Sequence, residues 1–396
     1  MKTTPTITAT EMRGINRSAV LETIRREGPV ARTRIAQLLQ VSLPTVMRIV
    51  DELMAEDLVV PTGDKEWSGG RKRPLLEFNA HGHLIAGVDM NENRLYGAVA
   101  DLAGNILTER LLQHQALGVE SFDLLVSVID QLLQFALSTG KNIRGIGIGA
   151  PGITYFEEGE VRWAPTLEWR DFPLKENLRD RFNLPIILDN DVNLSAVGEM
   201  IFGLGQQCSN LVLVILGSGI GAGIIIDGAV YRGSHLTAGE IGFLLPDRSY
   251  LGIHHEGYGA LESLASGTGI VARAREALKD KWSPEKLAEI TVDGVFQAFQ
   301  RQEEWAKPVV FDTIDYLAQL LVTLSVCYDP DAIVLSGEVA RWSELLIPPI
   351  QGRIEGVIPF CPKIEVSRLG HRAIIMGAII EILYNTVDFY AVHKLS

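Results

Sequence analysis

A chain of 396 residues is long enough for two or three packed domains. Its composition, 47% hydrophobic and 21% charged, excludes an intrinsically disordered protein. Three scattered cysteines exclude a disulfide framework, and the longest apolar run, at 211–226, is short and interrupted by glycine. The net charge of −13 is uneven: residues 1–80 carry +2 (12 basic, 10 acidic) and the remainder −15 (24 basic, 39 acidic). With no apolar signal sequence at the N-terminus, we expect a cytoplasmic protein without membrane insertion. Only its N-terminal part is expected to approach a polyanion.

Residues 1–80 begin with three predicted helices. The segments MRGINRSAVLETIRREG and ARTRIAQLLQ precede a third helix, for which Ser42 is a good N-cap and Pro44 is acceptable in the first turn. Its predicted buried stripe consists of Val46, Ile49, Val50 and Leu53. Its candidate DNA contacts, at the N-terminal end, are Ser42, Leu43, Thr45 and Arg48. Two helices joined by a tight turn predict a helix-turn-helix.

Two short predicted strands, LVVPTG and PLLEFN, follow the third helix and flank GDKEWSGGRKR. Gly69 and Gly70 permit a tight hairpin tip, and three adjacent cations make the tip basic: Arg71, Lys72 and Arg73. We therefore predict a winged helix-turn-helix over 1–80, with the third helix in the major groove of double-stranded DNA and the wing on phosphates or in the minor groove. The alternative is a small helical packing domain whose basic tip is a solvated turn.

From His81 onward, strands alternate with helices, which predicts an α/β fold. LIAGVDMNENRLYGAVADLAGNIL reads as strand, turn and strand, and NLVLVILGSGIGAGIIIDGAVYRG repeats this pattern. The repetition is either coincidental or indicates two related lobes facing each other across a cleft. We place the first lobe at 81–193, with a closing C-terminal helix at about 375–396, and the second lobe at 194–374.

Several motifs of the body occur together in one known family. GIGAPG, DNDVN, LGSGIGAGIIIDGAVYRG, AGEIG, ALES and IVLSGEVA resemble the ROK family of repressors and sugar kinases. SLPTVMRIVDEL and GGRKRP resemble the head of its repressor branch, such as the xylose and N-acetylglucosamine repressors. The resemblance covers nearly the whole chain. It implies a two-lobed, ribonuclease-H-like domain of the actin/hexokinase type, and a homo-oligomer (dimer or tetramer) that presents two heads to a two-fold operator.

The resemblance also implies a carbohydrate site. It places four polar residues around one sugar ring: Asn190, Asp191, Glu240 and Glu262. Such groups suit a sugar, because each hydroxyl both donates and accepts a hydrogen bond. The Asp191 position is the general base of the family's kinases, although a residue placed there could also be only a helix cap. Phe243 replaces a usual histidine and Thr166 a usual asparagine, which implies an altered ligand.

The phosphate-binding turns of the family's kinases are only half present. Their first turn resembles Asp-x-Gly-Gly-Thr, whereas residues 89–93 read DMNEN, without glycine and with an added carboxylate that would repel a triphosphate. The second turn, 217–221, keeps its glycines, and Glu338 stands where glycine is more usual. We therefore expect no kinase activity and no bound ATP, with Asp191 a vestigial base.

The stretch GFLLPDRSYLGIHHEGYGALES, residues 242–263, aligns with the segment that holds a structural zinc in most relatives. Phe243 replaces the histidine ligand, all three cysteines are absent, and His255 alone falls on a ligand position. Because zinc requires four ligands, we expect no metal. We expect Phe243, Leu244 and Leu245 to pack where metal would hold the loop, which still delivers Glu262 to the site.

Together these patterns predict a sugar-responsive transcriptional repressor. Its head would bind operator DNA, and a carbohydrate effector would change lobe closure and, through a linker near 79–83, the spacing of the heads. Two alternatives are an ATP-dependent sugar kinase, and an interaction protein whose body is titrated by a regulatory protein.

Overall fold

The computed structural model describes residues 9–68, 71–255 and 259–384, with side chains described from residue 12 and outside 64–73. It contains two compact units. One comprises Met1–Ile148, Pro173–Leu188 and Ala378–Ser396, and the other Gly149–Phe172 and Asp189–Gly377. The N-terminal helices thus belong to the same unit as the first sheet. The finer division at residues 80 and 193 stays a prediction.

The described helices are α1 Ala9–Glu27, α2 Arg32–Leu39, α3 Leu43–Ala55, α4 Gly118–Ser138, α5 Leu174–Arg179, α6 Asp191–Phe202, α7 Glu262–Ala265, α8 Gly267–Leu278, α9 Pro284–Ala288, α10 Val292–Gln300, α11 Ala306–Tyr328, α12 Ser343–Ile354 and α13 Arg372–Tyr384. The described strands are β1 Val59–Ser68, β2 Arg71–Phe78, β3 His83–Met90, β4 Arg94–Asp101, β5 Ile106–Gln113, β6 Asn142–Ala150, β7 Ile153–Tyr155, β8 Glu160–Ala164, β9 Trp169–Phe172, β10 Ile186–Asn190, β11 Leu211–Leu216, β12 Ile220–Ile226, β13 Ala229–Val230, β14 Ala332–Ser336 and β15 Lys363–Val366.

The three N-terminal helices form as the sequence predicts. Ser42 caps α3, because its hydroxyl accepts the N–H of Thr45 at 3.4 Å, and Pro44 lies in the first turn. The whole predicted stripe is buried: Val46, Ile49, Val50 and Leu53. Because α1 and α2 both contact α3, this stripe is covered within the three-helix group.

The hairpin after α3 is longer than the sequence predicts. β1 pairs antiparallel with β2 from Val59 opposite Phe78 to Ser68 opposite Arg71, with an irregularity between Pro61 and Lys65. The polar segment expected to be a loop therefore continues the ladder, because backbone pairing resumes beyond the irregularity. The predicted tip, Gly69 and Gly70, lies outside the described residues.

Two five-stranded sheets repeat one strand order. The first is ordered β10-β6-β3-β4-β5 and the second β15-β14-β11-β12-β13. In chain order, both sheets therefore read fifth, fourth, first, second, third. The first two strands of each are antiparallel neighbours, β3 with β4 and β11 with β12. The chain is therefore an α/β protein with a repeated sheet, as its two strand–turn–strand segments predict.

Helices cover the buried strands of both sheets. In the first unit, α4 packs on β3 and β4, and the end of α13 lies on β6, where a Cβ at Gly147 would be 2.4 Å from the Cβ of Ala378. In the second unit, α11 packs against α8, α10 and α12 around an apolar core. By length and composition, α4 and α11 could span a bilayer. Since both pack into these layers, we assign them as core helices.

Candidate functional site

Glu262, one of the predicted sugar ligands, is held at the start of β12. It is the first residue of α7, and its Oε2 accepts the N–H of Ile220 at 2.8 Å. A Cβ at Gly219 would lie only 2.7 Å from the same oxygen, so glycine leaves the room that this carboxylate needs. A glycine in the turn between β11 and β12 therefore makes space for a carboxylate of the chain itself.

Glu240 lies beside the same strand. The carbonyl of its neighbour Gly239 accepts the N–H of Ala222 at 2.8 Å, two residues after Ile220. Burial, together with the nearby charge of Glu262, raises the pKa of Glu240 above its ordinary value. Glu240 and Glu262 are thus two neighbouring acids, whose oxygens can accept hydrogen bonds from hydroxyl groups.

Asn190 and Asp191 have different roles at the start of α6. The Oδ1 of Asn190 accepts the N–H groups of Val192 and Asn193 at 2.9 and 3.1 Å, and its Nδ2 donates to the carbonyl of Gly152 at 2.9 Å. Asn190 is therefore the helix cap, and most of its amide is already used. Asp191 is the first helical residue, partly exposed, at the positive end of the helix. Asn190 thus holds the N-cap position considered for Asp191, while Oδ1 of Asp191 also accepts the N–H of Val192 at 2.9 Å.

The first turn of α6 lies against β12. A Cβ at Gly221 would lie 3.0 Å from Cγ2 of Val192, so the helix approaches the strand at the residue after Ile220. Three consecutive positions of one strand, 220–222, thus contact the segments that carry Glu262, Asp191 and Glu240 in turn. The segments that carry the predicted acids therefore meet β12 at one end. Their binding of a sugar stays a prediction.

A buried ion pair beside these acids was not predicted. Asp189, the residue before the cap, is buried, and Nη2 of Arg232 donates to its Oδ2. The guanidinium of Arg232 also lies 4.8 Å from the centre of the Phe156 ring. The signal was present in the sequence, because an aspartate within the apolar strand IILDN requires a partner when it is buried. The sequence pattern did not indicate which arginine that partner is.

The segment aligned with the family's zinc loop differs from expectation. Phe243 and Leu245 are 48% and 44% exposed, and only Leu244 packs against the core of the second unit. The prediction that all three pack inward is therefore wrong. The carbonyl of Leu244 accepts the N–H of Leu261, which turns its neighbours outward. Within the described residues, which omit 256–258, no three potential ligands group around a metal position, and the absence of zinc stays a prediction.

The candidate DNA contacts lie where the sequence places them along the chain. Arg48 is exposed and donates to Oε1 of Glu52 at 3.0 Å, while Leu43 is partly exposed. Ser42 is exposed, and its Oγ is 2.8 Å from Oγ1 of Thr45, so the two hydroxyls are tied to each other. Three basic residues of the predicted wing lie on β2, and their side chains are outside the described set: Arg71, Lys72 and Arg73.

The turn between β3 and β4 is closed by its own side chains. Oδ1 of Asn91 accepts the N–H groups of Asn93 and Arg94 at 3.4 and 3.0 Å. Nη2 of Arg94 donates to Oδ2 of Asp89 at 2.6 Å. Burial raises the pKa of Asp89 to about 6, although the charge of Arg94 opposes this. The backbone N–H groups of Asn93 and Arg94, which could otherwise contact an anion here, are thus already occupied.

The turn between β11 and β12 contacts the start of α8. The hydroxyl of Thr268 donates to the carbonyl of Ser218 at 2.6 Å, and the N–H of Gly267 donates to the carbonyl of Gly217 at 2.7 Å. A Cβ at Gly267 would lie 2.2 Å from Oε1 of Glu338, so this carboxylate lies against the first turn of α8. An acid of the chain therefore occupies the helix end that could otherwise approach a phosphate.

Comparisons with known proteins identify relatives along nearly the whole chain. The ROK family model matches residues 85–382. The chain is 30% identical to the xylose repressor of Caldicellulosiruptor bescii over 392 residues, 96% of this chain and 98% of the relative. It is similar to the structure of a ROK family transcriptional regulator that is a homolog of the E. coli MLC protein, with a TM-score of 0.83, 24% identity and coverage of 97% and 100%. A ROK family glucokinase from Streptomyces griseus, solved with glucose and AMPPNP, matches with a TM-score of 0.64, 26% identity and coverage of 75% and 98%.

Proposed function

Because the chain belongs to the ROK family, we propose that it is a sugar-responsive transcriptional repressor. The observation that carries this proposal is the 30% identity to a xylose repressor over 96% of this chain, a span that includes the N-terminal helices and hairpin. The glucokinase covers 75% of this chain, less than either regulator.

The head is proposed to be a winged helix-turn-helix that binds double-stranded operator DNA. Helices α2 and α3 are joined by three residues, 40–42, and α3 is followed directly by the β1–β2 hairpin. With α3 in the major groove, its exposed N-terminal end would read base edges, and the wing would contact the phosphates. Arg48 is the strongest candidate for a base or phosphate contact, since Arg pairs well with both.

The effector is proposed to be a small carbohydrate bound by the acids gathered at β12. Asp191, Glu240 and Glu262 supply acceptors, and the charge of Glu262 raises the pKa of the buried Glu240 beside it. Asn190 would contribute through the one amide hydrogen that its capping role leaves over. Phe243 and Thr166 are exposed and would change which arrangement of hydroxyl groups on the sugar can bind. No zinc and no ATP are part of this proposal.

The chain is proposed to lack kinase activity. The first turn has no glycine, and Asn91 occupies two of the N–H groups that a phosphate-binding turn would present. Glu338 adds negative charge at the start of α8. We further propose that the body consists of ribonuclease-H-like lobes and that the protein is a cytoplasmic dimer or tetramer. A regulatory protein that binds the body is proposed as a second signal besides the sugar. The alternative, an ATP-dependent sugar kinase, predicts steady ADP release with a monosaccharide.

A mobility-shift assay on the DNA upstream of the chain's own gene tests the proposal. Purified protein should retard this DNA specifically, and one carbohydrate of a panel that includes xylose, glucose and N-acetylglucosamine should change the affinity. Arg48→Ala should weaken binding, whereas Arg181→Ala, which removes an exposed ion pair with Asp130 outside the head, should not. Equal affinity after removal of residues 1–80, or sugar-dependent ADP release in a coupled assay, would overturn the proposal.

A further inference from the structure

The C-terminal end of α3 is tied to two other elements of the first unit. Glu56 follows the last turn of α3, and its carboxylate accepts Nη2 of Arg17 on α1 at 2.8 Å and Nη2 of Arg144 on β6 at 3.1 Å. Burial alone would raise the pKa of Glu56, but the two guanidinium groups hold it below its ordinary value. The carboxylate is thus a charged bridge between the head and the sheet.

His83 makes a second attachment at the same point. It is the first residue of β3, it is 3% exposed, and its Nε2 lies 3.1 Å from the carbonyl oxygens of both Glu56 and Asp57. Since carbonyl oxygens only accept, Nε2 is the nitrogen that carries the proton here. Nδ2 of Asn79 also donates to the carbonyl of Asp57, at 2.9 Å. Both ends of the predicted linker near 79–83 therefore hold the two residues that follow α3.

This attachment lies at the opposite end of α3 from its candidate DNA contacts. A helix of 13 residues is about 20 Å long, so a tilt of about 5° at Glu56 would move the Leu43 end by about 2 Å. Such a displacement is several times larger than the range of donor–acceptor distances in a hydrogen bond, which is about 0.5 Å. If α3 binds DNA as proposed, a small tilt at its contact with the sheet would therefore break hydrogen bonds to the base edges.

A further contact holds α1 to the last helix. The hydroxyl of Tyr384, at the end of α13, donates to Oε2 of Glu22, and both side chains are buried. Arg25 donates to the same carboxylate from the next turn of α1. Because α1 packs on α3, this contact limits how far the three-helix group can move on the sheet. The head is therefore held at two separate places in the first unit.

We propose that His83 and Arg144 are positioning residues that hold the operator-reading helix on the first sheet and transmit effector-dependent movements to it. The part concerning transmission rests on the proposed function, while the attachment itself does not. Hydrogen bonds to the backbone carbonyls and the carboxylate at the end of α3 thus connect the helix directly to the sheet. We call this set of contacts the joint. Movement of the sheet would then reach the helix without a change in the fold of the head.

The attachment is tested by amide hydrogen exchange of the full-length protein without DNA or sugar. Arg144→Gln removes the positive charge and His83→Leu removes the imidazole donor, while Arg144→Lys retains the charge and a donor and His83→Gln retains a donor. Arg181→Gln is the control, since Arg181 forms a comparable arginine–carboxylate pair with Asp130 in the same unit. We expect peptides covering 49–60 to exchange about threefold to fivefold faster in the first two variants, as for the loss of a weak ion pair or hydrogen bond. Exchange equal to that of the control in both variants would overturn the inference.

Transmission is tested by the ratio of operator Kd values measured with and without the sugar to which the wild-type protein responds. In Arg144→Gln and His83→Leu this ratio should fall about threefold or more, with sugar affinity unchanged, and the donor-retaining variants should keep most of it. An unaltered ratio in both variants contradicts transmission through this joint. A wild-type protein without any sugar response contradicts the proposed function instead, and the exchange experiment still decides the attachment.

Discussion

The turn between β3 and β4 and the turn between β11 and β12 occupy equivalent places in two sheets of the same strand order, yet their chemistry differs. The first is closed by Asn91, which caps its backbone, and by Arg94, which neutralises Asp89. The second is rich in glycine and accommodates Glu262. A fold can thus keep a hairpin while its ligand chemistry changes, because that chemistry depends on a few side chains rather than on the topology.

The same comparison separates two kinds of carboxylate. Asp89 is fully buried, and its Oδ1 has no hydrogen-bond partner among the described residues, so its pKa is raised to about 6 although Arg94 opposes the rise. Glu262 receives a backbone N–H and lies near a second acid, which suits it to a polar ligand. The first turn is therefore a structural feature and the second a candidate binding feature.

The largest effect is expected at Asp89. Its pKa of about 6 in the folded state exceeds the ordinary 3.8, so the folded protein binds this proton more tightly than the unfolded chain. Stability from this group is therefore present below pH 3.8 and is lost as the pH rises through about 6. Between pH 4 and 7, wild type should lose up to about 3 kcal/mol of unfolding free energy relative to Asp89→Asn. Denaturant titrations of both proteins across this range provide the measurement, and parallel pH profiles would contradict the assignment.

Glu262 should matter most for the ligand. Glu262→Gln retains an acceptor for Ile220 but removes the charge, so the affinity for the sugar should fall by about 1.5–3 kcal/mol, roughly tenfold to a hundredfold. Isothermal titration calorimetry measures this loss. Glu276→Gln, which alters an exposed acid paired with Lys279 in the same unit, is the matched control. Equal losses in the two variants would remove Glu262 from the site.

A substitution at Gly219 tests whether the carboxylate of Glu262 requires glycine in the turn between β11 and β12. Gly219→Ala places a Cβ 2.7 Å from Oε2 of Glu262 and should lower the free energy of unfolding by about 2 kcal/mol, as overpacking does. In a Glu262→Ala background the same change should be nearly neutral, because the opposing oxygen is gone. A double-mutant cycle in denaturant measures the difference. The same loss in both backgrounds would mean that the clash lies elsewhere.

The smallest effect is expected at Asn91. Asn91→Ala removes the acceptor for two backbone N–H groups in the first turn, which should lower stability by about 1 kcal/mol. Nucleotide binding should remain undetectable by calorimetry with AMPPNP, since the negative charge of Glu92 stays in the turn. Asn105, which bonds Asp101 in another turn of the same sheet, provides a comparison variant, Asn105→Ala. Nucleotide binding by Asn91→Ala would show that the turn is a masked phosphate site.

Local patterns predicted much of the head and of the two sheets. The Ser42 cap, the buried stripe of α3 and the strand–turn–strand repeats depend on spacing along the chain, and the structure contains them. The outward orientation of Phe243 and the pairing of Asp189 with Arg232 were not predicted. Both depend on contacts between segments that are distant in sequence, which single-chain spacing does not encode.

The residues that could carry function were identifiable from local patterns: the four candidate sugar ligands, the capped third helix and the turn that lacks glycine. This was possible because residue chemistry and helical or strand periodicity are local properties. How those residues share their hydrogen bonds depends instead on the packing of distant segments. Asn190 became the cap of α6, Glu262 took the N–H of Ile220, and Glu56 and His83 joined α3 to the sheet, because each of these partners is chosen by packing between elements.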